Sequence, residues 1–170
     1  MQTNDLLINR VAESGLVTFD PAMLLEPTGI LSFDLKDNLF QELILKEKDF
    51  RAFLKAHNWK HYTGAMVAVH CSADAIIPTW AYMLVGSYLQ AFAKIIAYGS
   101  PDAVLQLAYH DKLHALNLDK FRDKRVVVKG CGSIPVPNSV YLEIAVLFKP
   151  IVKSLMFGEP CSTVPIFKNA

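Results

Sequence analysis

Short, mostly apolar runs limit the fold of this 170-residue chain more than any other feature of its sequence. They occupy residues 65–69, 95–98 and 125–129, and a segment with helical character follows each run. Strands that are apolar on both faces are typical of parallel sheets, because helices cover both sides of such sheets. The alternation of strand and helix therefore predicts an α/β fold, in which a mainly parallel sheet is layered with helices.

The predicted helices alternate with these strands. They cover residues 79–94, 100–116 and 138–157, and an amphipathic helix precedes them at residues 47–57. The helix at residues 100–116 begins with Ser-Pro-Asp, a sequence that suits a helix start because the hydroxyl can cap it and the proline needs no hydrogen-bond partner there. Pro150 falls inside the longest predicted helix, where we expect a kink.

The two ends of the chain give simpler signals. Residues 6–13 suit a short helix, and residues 16–19 and 30–35 suit a short N-terminal strand pair appended to the main sheet. Residues 162–167 are expected to form the last strand. The chain contains no linker or low-complexity tract and is long enough for one core, so we expect a single domain over residues 1–170.

Composition excludes several classes of function. The chain has 17 basic and 16 acidic residues without a basic cluster, so a nucleic-acid-binding surface is not expected. The first residues lack a signal-peptide pattern, and the longest apolar stretch, at residues 81–96, is interrupted by polar residues. We therefore expect a cytoplasmic protein that does not cross a membrane. Apolar residues make up 52% of the chain, which favours a homo-oligomer interface.

Three cysteines give the strongest indication of a site. An odd number of cysteines without an export signal indicates free thiols in a reducing compartment. Cys71 and Cys131 each follow a predicted strand and precede a helix, at the edge where α/β sheets bind ligands and helix amides favour thiolate. Cys131 and Cys161 also begin similar hexapeptides, Cys-Gly-Ser-Ile-Pro-Val and Cys-Ser-Thr-Val-Pro-Ile.

We therefore predict that the three cysteines, Cys71, Cys131 and Cys161, bind a metal, with zinc, iron or an iron–sulfur centre as the candidates. The other candidate ligands and site residues lie beside the cysteines: His70, Ser72, Asp74, Lys129 and Glu159. A straight helix over residues 138–157 would separate Cys161 from the other cysteines by about 30 Å. A shared site then needs the kink at Pro150 or a second subunit. Separate, buried structural thiols are the alternative.

A second interpretation is a thiol enzyme that uses Cys71 as its nucleophile. Ser72 and nearby amides would stabilise anionic charge, and Asp74 would act on a proton, although capping of the following helix is the favoured role for Asp74. A thiol nucleophile usually requires a histidine base, and His70 is the nearest histidine in sequence.

Two histidines lie four residues apart on the predicted helix at residues 100–116. This spacing places His110 and His114 on one face, as in helical metal sites. Gln106 shares that face, and charged residues adjoin it. A solvated polar face is therefore favoured over a metal site.

Three segments carry a resemblance to a known family: LKEKDFR at residues 45–51, CSADAIIPTWAYML at residues 71–84 and KSLMFGEPCSTVP at residues 153–165. They resemble a family of small uncharacterised bacterial proteins, and the resemblance covers nearly the whole chain. That family has no established activity, but its members tend to be encoded beside iron–sulfur cluster assembly proteins. The resemblance therefore implies a role close to sulfur or iron handling.

The sequence leaves three functions open. The leading hypothesis is a dimeric accessory of iron–sulfur cluster assembly that holds a metal or metal–sulfur species through its cysteines. The first alternative is a non-catalytic interaction or scaffold module that uses the aromatic-rich helix at residues 79–94. The second is the Cys71-dependent enzyme. Whether any reaction is catalysed is not decided by these patterns.

Overall fold

The computed structural model describes residues 15–26, 29–130, 136–159 and 162–169. Its helices and its parallel and mixed sheets confirm the α/β fold class. The strands are, in chain order, β1 (Leu16–Phe19), β2 (Ile30–Asp34), β3 (Met66–His70), β4 (Ile95–Tyr98), β5 (Arg125–Val128), β6 (Ser154–Glu159) and β7 (Ser162–Lys168). The helices are α1 (Glu47–Ala56), α2 (Thr79–Leu89), α3 (Pro101–His114) and α4 (Asn138–Phe148). None of the described helices combines the length and apolar character needed to cross a bilayer.

The chain divides into two compact units. The middle unit is Glu26–Tyr109, and the terminal unit combines Met1–Leu25 with His110–Ala170. The expectation of a single domain stays a prediction. Each unit has its own sheet, because the strand order is β2-β3-β4 in the middle unit and β1-β5-β6-β7 in the terminal unit.

Parallel pairing dominates both sheets. In the middle unit β3 pairs in parallel with both β2 and β4. In the terminal unit β5 pairs in parallel with both β1 and β6, and β7 pairs antiparallel with β6. The central strands β3 and β5 are the most buried, as expected for strands with neighbours on both sides.

The two units contain the same strand–helix–strand segment, repeated at an interval of 59 residues. The segment β3-α2-β4, with the turn before it, spans residues 58–99, and β5-α4-β6 spans residues 117–158 without any gap in the alignment. Identical residues occur at these matched positions: Asn58 and Asn117, Val67 and Val126, Val69 and Val128, Pro78 and Pro137, Tyr82 and Tyr141, Lys94 and Lys153, and Gly99 and Gly158. The matched helices α2 and α4 also show the same sequence of buried, half-buried and exposed positions, except that Trp80 is half-buried and its counterpart Ser139 is exposed.

Hydrogen bonds and backbone angles support the repeat. The Lys94 N–H donates to the Ala65 carbonyl at 2.8 Å, and the Lys153 N–H donates to the Lys124 carbonyl at 2.8 Å. The turn before the central strand has a positive φ in both units, 73° at Gly64 and 58° at the matched Asp123, a conformation that glycine and aspartate tolerate best. The repeat is therefore present in the structure as well as in the sequence.

The edge strands β1 and β2 also correspond to each other. Phe19 of β1 pairs with Val128, and Phe33 of β2 pairs with Val69, which is the matched position of the other unit. The sequence prediction of two strands here is confirmed. Their expected arrangement as an appended pair is wrong, since each strand joins a different sheet. The short helix predicted at residues 6–13 lies outside the described residues.

The long helix predicted at residues 138–157 is wrong. Helix α4 ends at Phe148, and the chain then returns as strand β6 from Ser154. Pro150 explains the end, because it has no N–H to donate and its ring collides with the carbonyl four residues earlier. Buried Val152 and Leu155 continued the helical spacing by chance, since they pack from the turn and the strand instead.

An aromatic cluster of the middle unit extends from the core to the surface. We call it the His57 cluster, and it consists of Phe33, Phe53, His57, Trp59 and Tyr62. Phe33 stacks on Trp59 at 5.5 Å, and the Trp59 indole N–H donates to the Leu54 carbonyl at 2.7 Å. This packing attaches the end of α1 to the sheet.

Candidate functional site

The carboxyl edge of the middle sheet gathers polar side chains from all three strands. Asp34 ends β2, His70 ends β3 and Tyr98 ends β4. Asp34 is the register partner of His70, and Cys71 follows His70 directly. Parallel strands place their carboxyl ends at one edge, which is where α/β sheets bind ligands. The sequence prediction of Cys71 at such an edge agrees with this placement.

Asp34 organises the loop after β3. Its Oδ1 accepts hydrogen bonds from the backbone N–H groups of Ser72 and Lys36, both at 3.0 Å. Its Oδ2 accepts a hydrogen bond from the Ser72 hydroxyl at 2.6 Å. Burial by itself raises the pKa of Asp34, but these hydrogen bonds, with a smaller contribution from the charge of His70, bring the pKa below its usual value. Asp34 therefore stays ionised and holds the loop in place.

Two tyrosines contact each other at this edge, and one of them, Tyr82, lies near the thiol of Cys71. The rings of Tyr82 and Tyr98 meet edge to face at 5.1 Å. Burial raises the pKa of Tyr82, and Tyr98 and Cys71 raise it further. Tyr82 therefore remains a neutral phenol at physiological pH. The half-buried Cys71 thiol donates to the Ala73 carbonyl at 3.7 Å, a sulfur hydrogen bond within its own loop.

A polar cleft of about 420 Å³ opens next to this loop in the middle unit. The residues that line the cleft are Lys36, Asp37, Glu42, Ser72 and Ala73. Charges of both signs line the cleft, which suits a small polar ligand better than a uniformly charged one.

The matched edge of the terminal unit carries different chemistry. Asp20 takes the place of Asp34 and accepts a hydrogen bond from the Ala22 N–H at 3.0 Å. Lys129 takes the place of His70, and its Nζ lies 3.6 Å from Oδ2 of Asp20. Gly130 takes the place of Cys71, and a Cβ added there would lie 2.3 Å from the Cζ atom of Phe157. In the alignment Cys131 is the counterpart of Ser72.

The structure separates the residues predicted from the sequence into groups. His70, Cys71 and Ser72 lie together in the middle unit, and Lys129 lies beside Asp20 in the terminal unit. Glu159 is exposed at the end of β6. Cys131 and Cys161 lie outside the described residues, so the metal site shared by three cysteines stays a prediction.

The predicted capping role of Asp74 is wrong. Helix α2 begins at Thr79 after Pro78, and no side chain caps its first turn. Asp74 lies five residues before the helix on an exposed loop, too early in the chain to take the N-cap position.

Sequence reasoning missed a cluster of two histidines and a glutamate in the terminal unit. His110 and His114 on α3 both face Glu143 on α4. The signal was present in part, because Glu143 is the single charged residue in the sequence of α4, and a carboxylate among apolar residues usually has a partner. What the sequence did not reveal is that α3 and α4 pack with these faces together.

Fold and site together define an α/β protein with thiol, carboxylate and phenol groups at sheet edges. Comparison with protein-family models matches residues 5–169 to a family described as protein of unknown function (DUF2480). The chain belongs to this family, which agrees with the family of unknown function expected from the sequence. No curated protein and no solved structure matches the chain.

Proposed function

We propose that this protein binds a metal ion or a metal–sulfur species through cysteines at the strand ends of its terminal unit, as an accessory of iron–sulfur cluster assembly. Cys131 and Cys161, which follow β5 and β6 in the sequence, are the proposed ligands. Zinc and iron are the candidate metals, because both accept thiolate ligands.

One observation carries the proposal: β5 and β6 are parallel neighbours in register. Val128 at the end of β5 pairs with Phe157 in β6, so both strands run to the same edge of one sheet. Cys131 is three residues beyond Val128, and Cys161 is four residues beyond Phe157. Adjacent strands are about 4.8 Å apart, so the two cysteine segments start from neighbouring points. The separation of about 30 Å expected for a long helix no longer applies, because α4 ends early.

The repeat supports Asp20 as a third ligand. In the middle unit Asp34 binds the hydroxyl and the N–H of Ser72. Asp20 is the counterpart of Asp34, and Cys131 is the counterpart of Ser72. A carboxylate beside the thiol-bearing position completes a donor set that zinc and iron accept. Glu159, which precedes Cys161 by two residues, is the alternative carboxylate.

The link to cluster assembly comes from the family resemblance, which implies a genomic association with assembly proteins. A cytoplasmic location and assembly proteins as partners are parts of this proposal. Cys71 and His70 belong to the middle unit, and their contribution to metal binding, predicted from the sequence, is a separate question for the experiment below.

Metal analysis of variants tests the proposal. The protein is produced under iron- and zinc-replete, anaerobic conditions, and its metal and acid-labile sulfide contents are measured. We expect stoichiometric metal in the wild type and its loss in Cys131→Ser and in Cys161→Ser. Cys71→Ser is the matched control, since it removes a thiol from the other unit; loss of metal there too would add Cys71 as a ligand.

Two results would overturn the proposal. One is a wild-type protein that contains no thiolate-bound metal and whose thiols all react slowly. The other is a Cys131→Ser, Cys161→Ser double variant that retains the full thiolate-bound metal content of the wild type.

A second candidate function, an interaction module that pairs with another copy of this chain, is favoured by exposed apolar side chains. Met83 on α2 is 73% exposed, and its repeat counterpart Leu142 on α4 is 70% exposed. Large apolar side chains at matched exposed positions suit an interface. We expect Met83→Lys or Leu142→Lys to lower the oligomeric state in light scattering, while substitution of all three cysteines by serine leaves it unchanged.

A further inference from the structure

A compact set of metal-binding atoms lies in the terminal unit, between α4 and the last residues of α3, from His110 to His114. Nδ1 of His110 is 2.6 Å from Oε1 of Glu143, and Nε2 of His114 is 3.0 Å from the same oxygen. The three ligand atoms all lie within 4.8 Å of one another. In the part of the chain that the structure describes, this is the one group of three or more histidine, cysteine or acidic side chains with such spacing.

We propose that His110, His114 and Glu143 form a binding site for a divalent transition-metal ion, with Zn²⁺ the ion that the donor set favours. This site is separate from the thiolate site proposed above. Two imidazole nitrogens and one carboxylate oxygen are a common protein donor set for zinc.

The geometry requires little rearrangement. Zinc lies about 2.0–2.2 Å from imidazole nitrogen and carboxylate oxygen, so tetrahedral ligands are about 3.4 Å apart. The nitrogen–oxygen distances of 2.6 and 3.0 Å are slightly shorter than this. The helical spacing holds the histidines on one face, and their ring centroids are 4.2 Å apart. An increase of about 0.4–0.8 Å in the two nitrogen–oxygen distances brings them to the value expected around the ion.

Burial gives the site one open side. The Glu143 side chain is 23% exposed, whereas those of His110 and His114 are 52% and 50% exposed. A partly buried carboxylate at the base and two half-exposed imidazoles at the rim leave an entry path for the ion. They also leave the fourth coordination position for water, as in zinc sites with three protein ligands.

The repeat provides an internal comparison. At the same interval of 59 residues, and partly before the aligned segments, the middle unit has Arg51, Lys55 and Leu84 where the terminal unit has His110, His114 and Glu143. Leu84 is half-buried, as Glu143 is, so this helix pair packs without a carboxylate at that position. Arg51 instead forms an ion pair with Glu47 at 2.8 Å. The fold therefore does not require the two histidines and the glutamate, and their convergence in one unit needs another explanation. Metal binding supplies one.

The test uses the full chain in which all three cysteines are replaced by serine, so that a thiolate site cannot contribute. Zn²⁺ is titrated in competition with a chromophoric chelator, and Co²⁺ serves as the spectroscopic probe. We expect one equivalent of Zn²⁺ to bind, and Co²⁺ to give visible bands without thiolate charge-transfer absorption. His110→Ala, His114→Ala and Glu143→Gln should each weaken binding at least about tenfold, since even loss of an outer-shell partner costs that much. His61→Ala, an exposed histidine of the middle unit, is the matched control and should bind as the cysteine-free protein does.

A second comparison does not depend on the folding of the cysteine-free chain. In the wild-type background, the His110→Ala, His114→Ala double variant should bind one equivalent of Zn²⁺ fewer and keep any thiolate-bound metal. The proposal is overturned if this double variant binds as many equivalents as the wild type, or if the folded cysteine-free protein binds no more Zn²⁺ than its His110→Ala form. Neither result bears on the thiolate site, which the cysteine variants test.

Discussion

Replacing His57 by leucine should stabilise the protein, and more strongly in acid. His57 lies inside the His57 cluster, with ring centroids 4.8 Å from Trp59 and 5.1 Å from Phe53. Its Nε2 is buried and has no hydrogen-bond partner among the described residues. Leu116 lies 59 residues after His57, at the corresponding position of the other unit, so leucine is compatible with this position of the repeat.

The gain in the free energy of unfolding on His57→Leu has one part that does not depend on pH and one part that does. A buried, unpaired polar atom costs about 1–3 kcal/mol, and leucine loses some ring contacts, so we expect a gain of about 1 kcal/mol at pH 8. Burial lowers the pKa of His57 below 6.5, and the charge of His61 lowers it further. The unfolded chain therefore binds a proton more readily than the folded one does. Wild-type stability falls as the pH drops below 6.5, by at most about 1.4 kcal/mol per pH unit, until the folded pKa is reached.

Thermal melts from pH 8 to pH 5.5 measure both parts. A chain of this length shifts its melting temperature by about 2–4 °C per kcal/mol, so the advantage of His57→Leu should be about 2–4 °C at pH 8 and should grow to at most about two and a half times that at pH 5.5. His61→Leu is the matched control, since it keeps the buried ring and should keep most of the acid loss. A His57→Leu protein that melts below the wild type at pH 8, with a difference that does not change at pH 5.5, would refute the reasoning.

Two further substitutions test the sheet edges. Asp34→Asn should lower the free energy of unfolding by about 1 kcal/mol at pH 7, since it removes a charged acceptor from Ser72. Because folding lowers the pKa of Asp34, this stabilisation is present above the unfolded pKa of 3.8 and disappears as the pH falls through the folded pKa. Urea melts of the two proteins should therefore converge in acid. Gly130→Ala should cost about 1–3 kcal/mol by overpacking, because its Cβ would lie 2.3 Å from the Phe157 ring. Gly29→Ala is the control, because nothing lies within 4 Å of a Cβ added there. A Phe157→Ala change in the Gly130→Ala protein should recover much of the lost stability. An equal cost of Gly130→Ala with and without Phe157 would contradict the contact.

The strands and most helices were predictable because their local patterns are strong. The runs at residues 95–98 and 125–129 became β4 and β5 nearly at the predicted bounds. Ser100, Pro101 and Asp102 marked the start of α3 within one residue. Such signals depend only on neighbouring residues, so they survive without knowledge of the fold.

The end of α4 was not predictable from periodicity. Apolar residues in the turn and in β6 happen to continue the helical spacing of Ile144 and Phe148, and a period alone cannot separate a buried strand from a helix. Pro150 was the better evidence, and we expected a kink where it ends the helix. The misplaced boundary also hid the second βαβ segment and hence the repeat.

The sites were predictable only where one segment carries them. His70, Cys71 and Ser72 follow one strand, so the strand prediction placed them at the sheet edge. Asp34, Tyr82 and Tyr98 join them from other elements, and no local pattern connects those residues. The same applies to Glu143, which lies 33 residues from His110 in sequence. Contacts across elements depend on packing, which composition and spacing do not specify.

The repeat keeps framework positions in both units but changes the residue that follows the matched strand-end pair His70 and Lys129. Framework positions are retained, with an aspartate at the end of the edge strand and a proline before the following helix in both units. The position after the central strand differs, because Gly130 leaves room for Phe157, whereas Cys71 has both a Cβ and a sulfur. The ring matched to Phe157 is Tyr98, which is 72% exposed against 37% for Phe157, as expected if Cys71 displaces it outward. In the middle unit a thiol at that position occurs together with a more exposed neighbouring ring, so each edge must be tested for function by itself.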